Sequence, residues 1–84
     1  MNYSVRIKGS ALKALGRIGE VDRLRLVGAI DRLATEPHAG GLLKGEFAGL
    51  RRIRVGRYRI IYEAMDRELV VLVVRVADRR DAYR

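Results

Sequence analysis

The residues best suited to chemistry lie in the stretch 50–62, which holds five arginines and no acidic residue. Basic and apolar residues alternate on both sides of Gly56, which predicts two short β-strands joined by a turn. Side chains on a strand point alternately to its two faces. The sequence therefore predicts four guanidinium groups on one side of a hairpin, those of Arg52, Arg54, Arg57 and Arg59.

Clustered guanidinium groups repel one another, so a polyanion that binds them is the best explanation for this cluster. Arginine matches pairs of phosphate oxygens, whereas lysine acts as a point charge. The 84-residue chain has a net charge of +8, and all but three of its 18 basic residues are arginine. A GC-rich genome would raise the arginine content everywhere, but it would not crowd arginines into one hairpin. The cluster predicts binding of phosphates.

Other kinds of site are not indicated. The chain has no cysteine, which excludes disulfides, thiolate nucleophiles and thiolate metal sites. It shows no Ser–His–Asp set, no paired carboxylates and no phosphate-binding glycine loop. His38, the only histidine, follows Pro37 in a predicted loop far from the arginine strands. We therefore expect neither a metal nor a cofactor.

Length and hydropathy predict one domain, residues 1–84. The first residues alternate without the apolar run of a signal peptide. The longest apolar run, residues 69–74, is too short to span a bilayer. We expect a cytoplasmic protein that makes no membrane contact.

The predicted element order is β-α-α-β-β-β. A first strand spans residues 3–8, a short helix ends near Gly19, and a second helix runs over 20–36 until Pro37 stops it. Strands near 50–55, 57–64 and 68–76 form an antiparallel meander. The apolar stripe predicted for the second helix is Val21, Leu24, Val27, Ile30 and either Leu33 or Ala34. We expect an α+β fold with a helical hairpin on one face of an antiparallel sheet and the arginines on the other.

This order and these residues resemble the RelE/ParE toxin superfamily, and the RelE branch more closely. The resemblance is carried by residues 42–45, by the arginine stretch from Gly49 to Tyr62, and by residues 76–83 at the end of the chain. It covers essentially the whole chain, and its second half is the specific part. It implies the RelE-like microbial ribonuclease fold.

The resemblance also implies an activity and partners. Such proteins are toxins of type II toxin–antitoxin systems that cleave mRNA without a metal, usually in the ribosomal A site, and so inhibit translation and growth. The ribose 2′-hydroxyl attacks the adjacent phosphate, which needs in-line positioning, charge stabilisation and proton transfer. A RelB-like antitoxin would hold the toxin silent in a hetero-oligomer, and that complex would bind operator DNA through the antitoxin.

Functional residues are carried over only where this sequence matches the family. Arg52 and Arg54 match a basic pair that is often lysine, and since arginine is a poor base they suit phosphate clamping better than proton abstraction. Arg59 matches a phosphate-binding arginine. RNA binding through charge is expected of Arg51, Arg57 and Arg80.

The end of the chain supplies further candidates. Arg79 matches an arginine linked to the leaving 5′-oxygen, and the adjacent Arg80 could exchange roles with it. Tyr83 matches a tyrosine that stacks on a base or assists proton transfer, although its ring could equally pack on the sheet. Asp78 stands where many relatives have histidine or lysine, and it could orient Arg79 or Arg80.

Two other functions remain open. A ParE-like toxin would share the fold but inhibit DNA gyrase without cutting RNA. A catalytically weak homologue would bind RNA only, as the absence of lysine at positions 52 and 54 allows. The arginines also have structural alternatives: a solvated strand face, a salt bridge from Arg59 to Glu63 or Glu68, and an ion pair at the end of the last strand.

Overall fold

The computed structural model describes residues 2–81. Its elements are β1 (Ser4–Ile7), α1 (Gly9–Gly16), α2 (Glu20–Arg32), β2 (Gly41–Leu42), a 3₁₀ turn (Gly45–Phe47), β3 (Arg51–Val55), β4 (Tyr58–Met65) and β5 (Val70–Asp78). The predicted α+β class is confirmed, with two helices preceding the three longest strands. None of the helices in residues 2–81 is long and apolar enough to cross a membrane.

The five strands form one sheet in the order β1-β5-β4-β3-β2. Strands β3, β4 and β5 make the predicted antiparallel meander, and the two-residue β2 extends it at the edge of β3. β1 runs parallel to β5, so the sheet is mixed rather than purely antiparallel. The long stretch of chain between β1 and β5 makes this parallel pairing possible.

Both helices pack on one face of the sheet. Alternate residues join this core at the start of the chain, as predicted: Tyr3, just before β1, and Val5 and Ile7 of β1. Burying these apolar side chains supplies the main favourable free energy of folding. The buried cluster comprises Ala11, Leu15, Leu26, Ala29, Ile30, Leu33, Ile60, Tyr62, Val71, Val73 and Val76.

The buried stripe predicted for α2 is partly wrong. Ile30 and Leu33 are buried, but Val21 and Leu24 have exposed fractions of 75% and 63%. Leu26 is fully buried instead. Successive three-residue steps rotate around a helix by about 60° each, so a stripe built only from such steps cannot stay on one face. α2 also ends at Arg32, four residues before the predicted end.

We call the other face of the sheet the open face, because α1 and α2 bury their apolar side chains against the opposite face. Ile61 points to the open face and is only 1% exposed, but it does not belong to the buried cluster under the helices. Phe47 and Leu50, from the 3₁₀ turn and the segment after it, line a cleft together with Ile61. The open face is therefore covered only in part.

Candidate functional site

The strand register places three of the predicted arginines together. Arg54 pairs with Arg59, and Arg52 pairs with Ile61. Directly opposed residues on paired strands point to the same face of a sheet. Since Ile61 points to the open face, and residues two apart on a strand share a face, the three arginines do so too. We call Arg52, Arg54 and Arg59 the arginine face.

Local sequence explains why the hairpin folds in this register. Gly56 has a φ of +59°, a conformation that suits glycine, in the two-residue turn between β3 and β4. Ile53 pairs with Ile60, and both pack toward the helices. A slip of one residue would turn arginines into the core, so these two isoleucines fix the arginines on the open face.

Arg57 lies in the turn rather than on the arginine face, and it pairs with Asp78. Its Nε donates a hydrogen bond of 2.7 Å to Asp78 Oδ2, while Asp78 Oδ1 accepts one of 3.2 Å from the backbone N–H of Arg80. The Arg80 N–H, and then the Arg57 guanidinium, lower the pKa of Asp78. Asp78 thus pairs with a side chain that the sequence did not suggest, and its hydrogen bond with Arg80 is to the main chain.

The turn after β5 holds Arg79 and Arg80 beside the arginine face. The backbone N–H of Arg79 donates to the carbonyl of Arg57 at 2.9 Å. Arg59 pairs with Ala77, two residues before Arg79. Both Arg79 and Arg80 are exposed. Tyr83 lies outside the described residues.

Arg51 is not brought to the arginine face. It pairs with Tyr62 and so points to the helix side of the sheet. Its Nη1 donates to the carbonyl of Gly40 at 2.7 Å. Arg51 therefore holds the loop before β2 against the sheet.

His38 lies closer to the arginine strands than predicted, because Nη1 of Arg51, the first residue of β3, donates to the His38 carbonyl at 3.4 Å. The Nε2 of His38 is 2.7 Å from Asp66 Oδ1, which also accepts the hydroxyl of Tyr3 at 2.7 Å. The Tyr3 hydroxyl, and then His38, lower the pKa of Asp66. Asp66 follows β4 at the end away from Arg59, about 23 Å along an extended strand.

Sequence reasoning missed Arg75. A bulge between Ile61 and Tyr62 leaves an extra residue on β5, so that Arg75 pairs with Ile61 on the open face. Strict alternation from the buried Val71 and Val73 would have placed Arg75 in the helical core. The only available signal was a charged residue at a position that alternation assigns to the core.

These side chains form a cationic surface on rigid strands. Guanidinium groups held in place in this way can bind a phosphate and stabilise the added charge of a phosphorane, at little reorganisation cost. No group of three His, Cys, Asp or Glu side chains within residues 2–81 is arranged to hold a metal ion. The arrangement suits electrostatic chemistry on a phosphate.

Comparison with known proteins gives matches over nearly the whole chain. The family model for the ParE toxin of the type II toxin–antitoxin system parDE matches residues 5–83. Toxin RelG of Mycobacterium tuberculosis is 34% identical over 86 residues, covering 100% of this chain and 99% of that protein. The RelBE2 toxin–antitoxin complex of the same organism matches with a TM-score of 0.86 and 31% identity, covering 94% of this chain and 100% of that one. The archaeal RelE–RelB complex of Pyrococcus horikoshii matches with a TM-score of 0.78 and 30% identity, covering 98% of this chain and 100% of that one.

Proposed function

This chain belongs to the ParE toxin family, within the RelE/ParE superfamily of type II toxin–antitoxin toxins, and we propose that it is a metal-independent endoribonuclease that cleaves mRNA. The observation that carries the proposal is the cross-strand register of Arg52, Arg54 and Arg59 on the open face. Cleavage would take place in the cytoplasm, in the A site of the ribosome, and it would stop translation and growth.

The proposed reaction needs no more than positioned charge and two proton transfers. The 2′-oxygen forms a bond to phosphorus while the bond from phosphorus to the 5′-oxygen breaks, which leaves a 2′,3′-cyclic phosphate and a free 5′-hydroxyl. Arg59 and Arg52 bind the non-bridging oxygens, on which negative charge grows in the phosphorane. Arg79, at the edge of the arginine face, stabilises the leaving 5′-oxygen. Each such donor contributes about a hundredfold or more to the rate.

Proton abstraction is the step that this arginine set performs least well. Arginine stays protonated at neutral pH, so Arg52 and Arg54 bind phosphate rather than accept the 2′-hydroxyl proton. Arg52→Lys would introduce an amine that can titrate. We expect that variant to cleave at least as fast as the wild type, with a rate that rises as the lysine loses its proton.

Primer extension on a reporter mRNA after brief induction tests the proposal, with and without a block of translation initiation. Cuts in register with codons, present only when ribosomes load, would support ribosome-dependent cleavage. Arg59→Ala should reduce cutting by about two to three orders of magnitude without unfolding the protein, because partly exposed arginines add little stability. Arg67→Ala is the matched control, since Arg67 is exposed in the turn at the other end of β4. Normal cutting by Arg59→Ala would contradict the site assignment.

The second candidate function is inhibition of DNA gyrase. It is favoured by the family model, which carries the ParE name. The same experiment separates the two functions, because growth arrest without mRNA cuts would support gyrase inhibition. Absence of both cuts and arrest would support a homologue that binds RNA without cleaving it.

We propose a RelB-like antitoxin as the partner, because the matched structures from Mycobacterium tuberculosis and Pyrococcus horikoshii are toxin–antitoxin complexes. An acidic, amphipathic segment would cover both the basic surface and the exposed apolar side chains of α2, Val21 and Leu24. The complex would bind operator DNA through the antitoxin. If the protein expressed alone were harmless and no small acidic protein co-purified with it, the partner assignment would fail.

A further inference from the structure

A cleft of about 350 Å³ lies beside the C-terminal half of β5. β1 pairs with β5 only as far as Val73. Beyond Val73 no strand flanks this edge of β5 within residues 2–81, and α1 contributes residues to the cleft instead. Phe47, Leu50 and Ile61 give the cleft apolar walls. Its volume is within the range of pockets that hold a small organic ligand.

The cleft adjoins the arginine face. Two of its lining residues, Ile61 and Ala77, are the direct cross-strand partners of Arg52 and Arg59. Side chains in such pairs begin about 4.5–5.5 Å apart. A phosphate held by Arg52 and Arg59 would therefore lie within the reach of one nucleotide from the cleft.

The cleft carries N–H and O–H donors. Arg75 lines it, and its Nη2 donates to the carbonyl of Asp81 at 2.7 Å, while its Nε is enclosed by protein atoms and has no hydrogen-bond partner within residues 2–81. Lys8 and Ser10 also line the cleft. A guanidinium at the wall of an apolar cleft offers N–H donors to a ligand that has acceptor atoms on its edge. Flat apolar contact combined with an acceptor edge describes a nucleobase.

We propose that this cleft is a nucleobase subsite, which receives the base next to the phosphate bound by Arg52 and Arg59. The inference rests on the proposed action on RNA and adds a base contact to it. The apolar walls hold the ring and Arg75 donates to an acceptor on its edge, so Arg75 is a specificity residue rather than a phosphate clamp.

The test measures binding of a short single-stranded RNA by fluorescence anisotropy. One ribose lacks its 2′-hydroxyl to prevent cleavage, and each base is replaced in turn by an abasic site. For the wild-type protein, loss of one particular base should weaken binding about tenfold to a hundredfold. Ala14→Leu places a larger side chain in the cleft from α1 and should remove this sensitivity. Ala39→Leu makes the same change in a separate cavity between α2 and β3 and should leave it intact.

Arg75→Lys decides the matter if Ala14→Leu does not fold. It keeps the charge, so the dependence of binding on salt should not change, but it lacks the planar guanidinium fork and should alter which base is preferred. If wild-type protein binds the RNA equally well with every abasic substitution, the subsite is refuted while the proposed function stands. If the wild-type protein does not bind the free RNA at all, the subsite is refuted, and primer extension decides separately whether the proposed function stands.

Discussion

Tyr62→Phe tests whether a single buried hydroxyl joins the loop before β2 to the sheet. Tyr62 is 0% exposed, and its hydroxyl donates to the carbonyl of Pro37 at 2.8 Å and accepts the N–H of Gly40 at 2.9 Å. Removing the oxygen leaves both backbone groups buried and unpaired, each at a cost of about 1–3 kcal/mol. Allowing for partial relaxation, we expect a loss of about 3 kcal/mol, which lowers the melting temperature of a domain this size by roughly 12–24 °C.

Urea and thermal denaturation measure this loss, and Tyr58→Phe is the matched control. Tyr58 lies on the same face of β4, and its hydroxyl makes no hydrogen bond within residues 2–81.

Burial raises the pKa of Tyr62 above its usual value of about 10. The wild-type protein should therefore keep this stabilisation below pH 10 and lose it as the pH rises through the folded-state pKa, whereas Tyr62→Phe should not. If Tyr62→Phe and Tyr58→Phe were equally stable, the two hydrogen bonds would not join the loop to the sheet.

Three further substitutions test other contacts. Gly40→Ala would put a Cβ 2.7 Å from the carbonyl oxygen of Arg52, so it should lose stability and cleavage together, whereas Gly41→Ala, with nothing within 4 Å, should lose neither. Arg54→Thr removes a like-charge pair with Arg59 and should raise the free energy of unfolding by about 0.2–1 kcal/mol at low salt. Screening should abolish this effect at high salt. Equal melting temperatures of the variant and the wild type at low salt would contradict this prediction. Asp78→Asn should be less stable than the wild type at pH 7. The difference should shrink once the pH falls below about 4, the usual pKa of an aspartate, and vanish only as the pH passes through the lowered folded-state pKa of Asp78. A constant difference down to that point would contradict this prediction.

The hairpin that carries the arginines could be predicted because its signals are local. Alternation fixed the faces of Arg52, Arg54 and Arg59, and Gly56 marked the turn. Short-range pattern is enough where one face must be buried, since any slip in register would bury charge.

Features that depend on distant pairing could not be predicted. The Arg57–Asp78 contact joins residues 21 positions apart through the register of β4 with β5. The place of Arg75 depends on a bulge, which changes the face of every residue beyond it without any mark in local composition. On α2, apolar residues occupy more than one face, and only tertiary packing selects the face that contains Leu26.

Asp78 is an acid that would serve the proposed phosphate site. It removes the charge of Arg57 from the local field, which weakens the attraction for RNA. In exchange it joins the turn between β3 and β4 to the turn after β5, because Asp78 contacts both Arg57 and the backbone of Arg80. Electrostatic stabilisation of a transition state depends on cations that are already in position, so a backbone held in place around Arg79 would contribute more to the proposed cleavage than one further mobile charge. Asp78→Asn should therefore slow cleavage more than it weakens RNA binding, and a variant that bound RNA more tightly and cut it as fast would show that Asp78 has no positioning role.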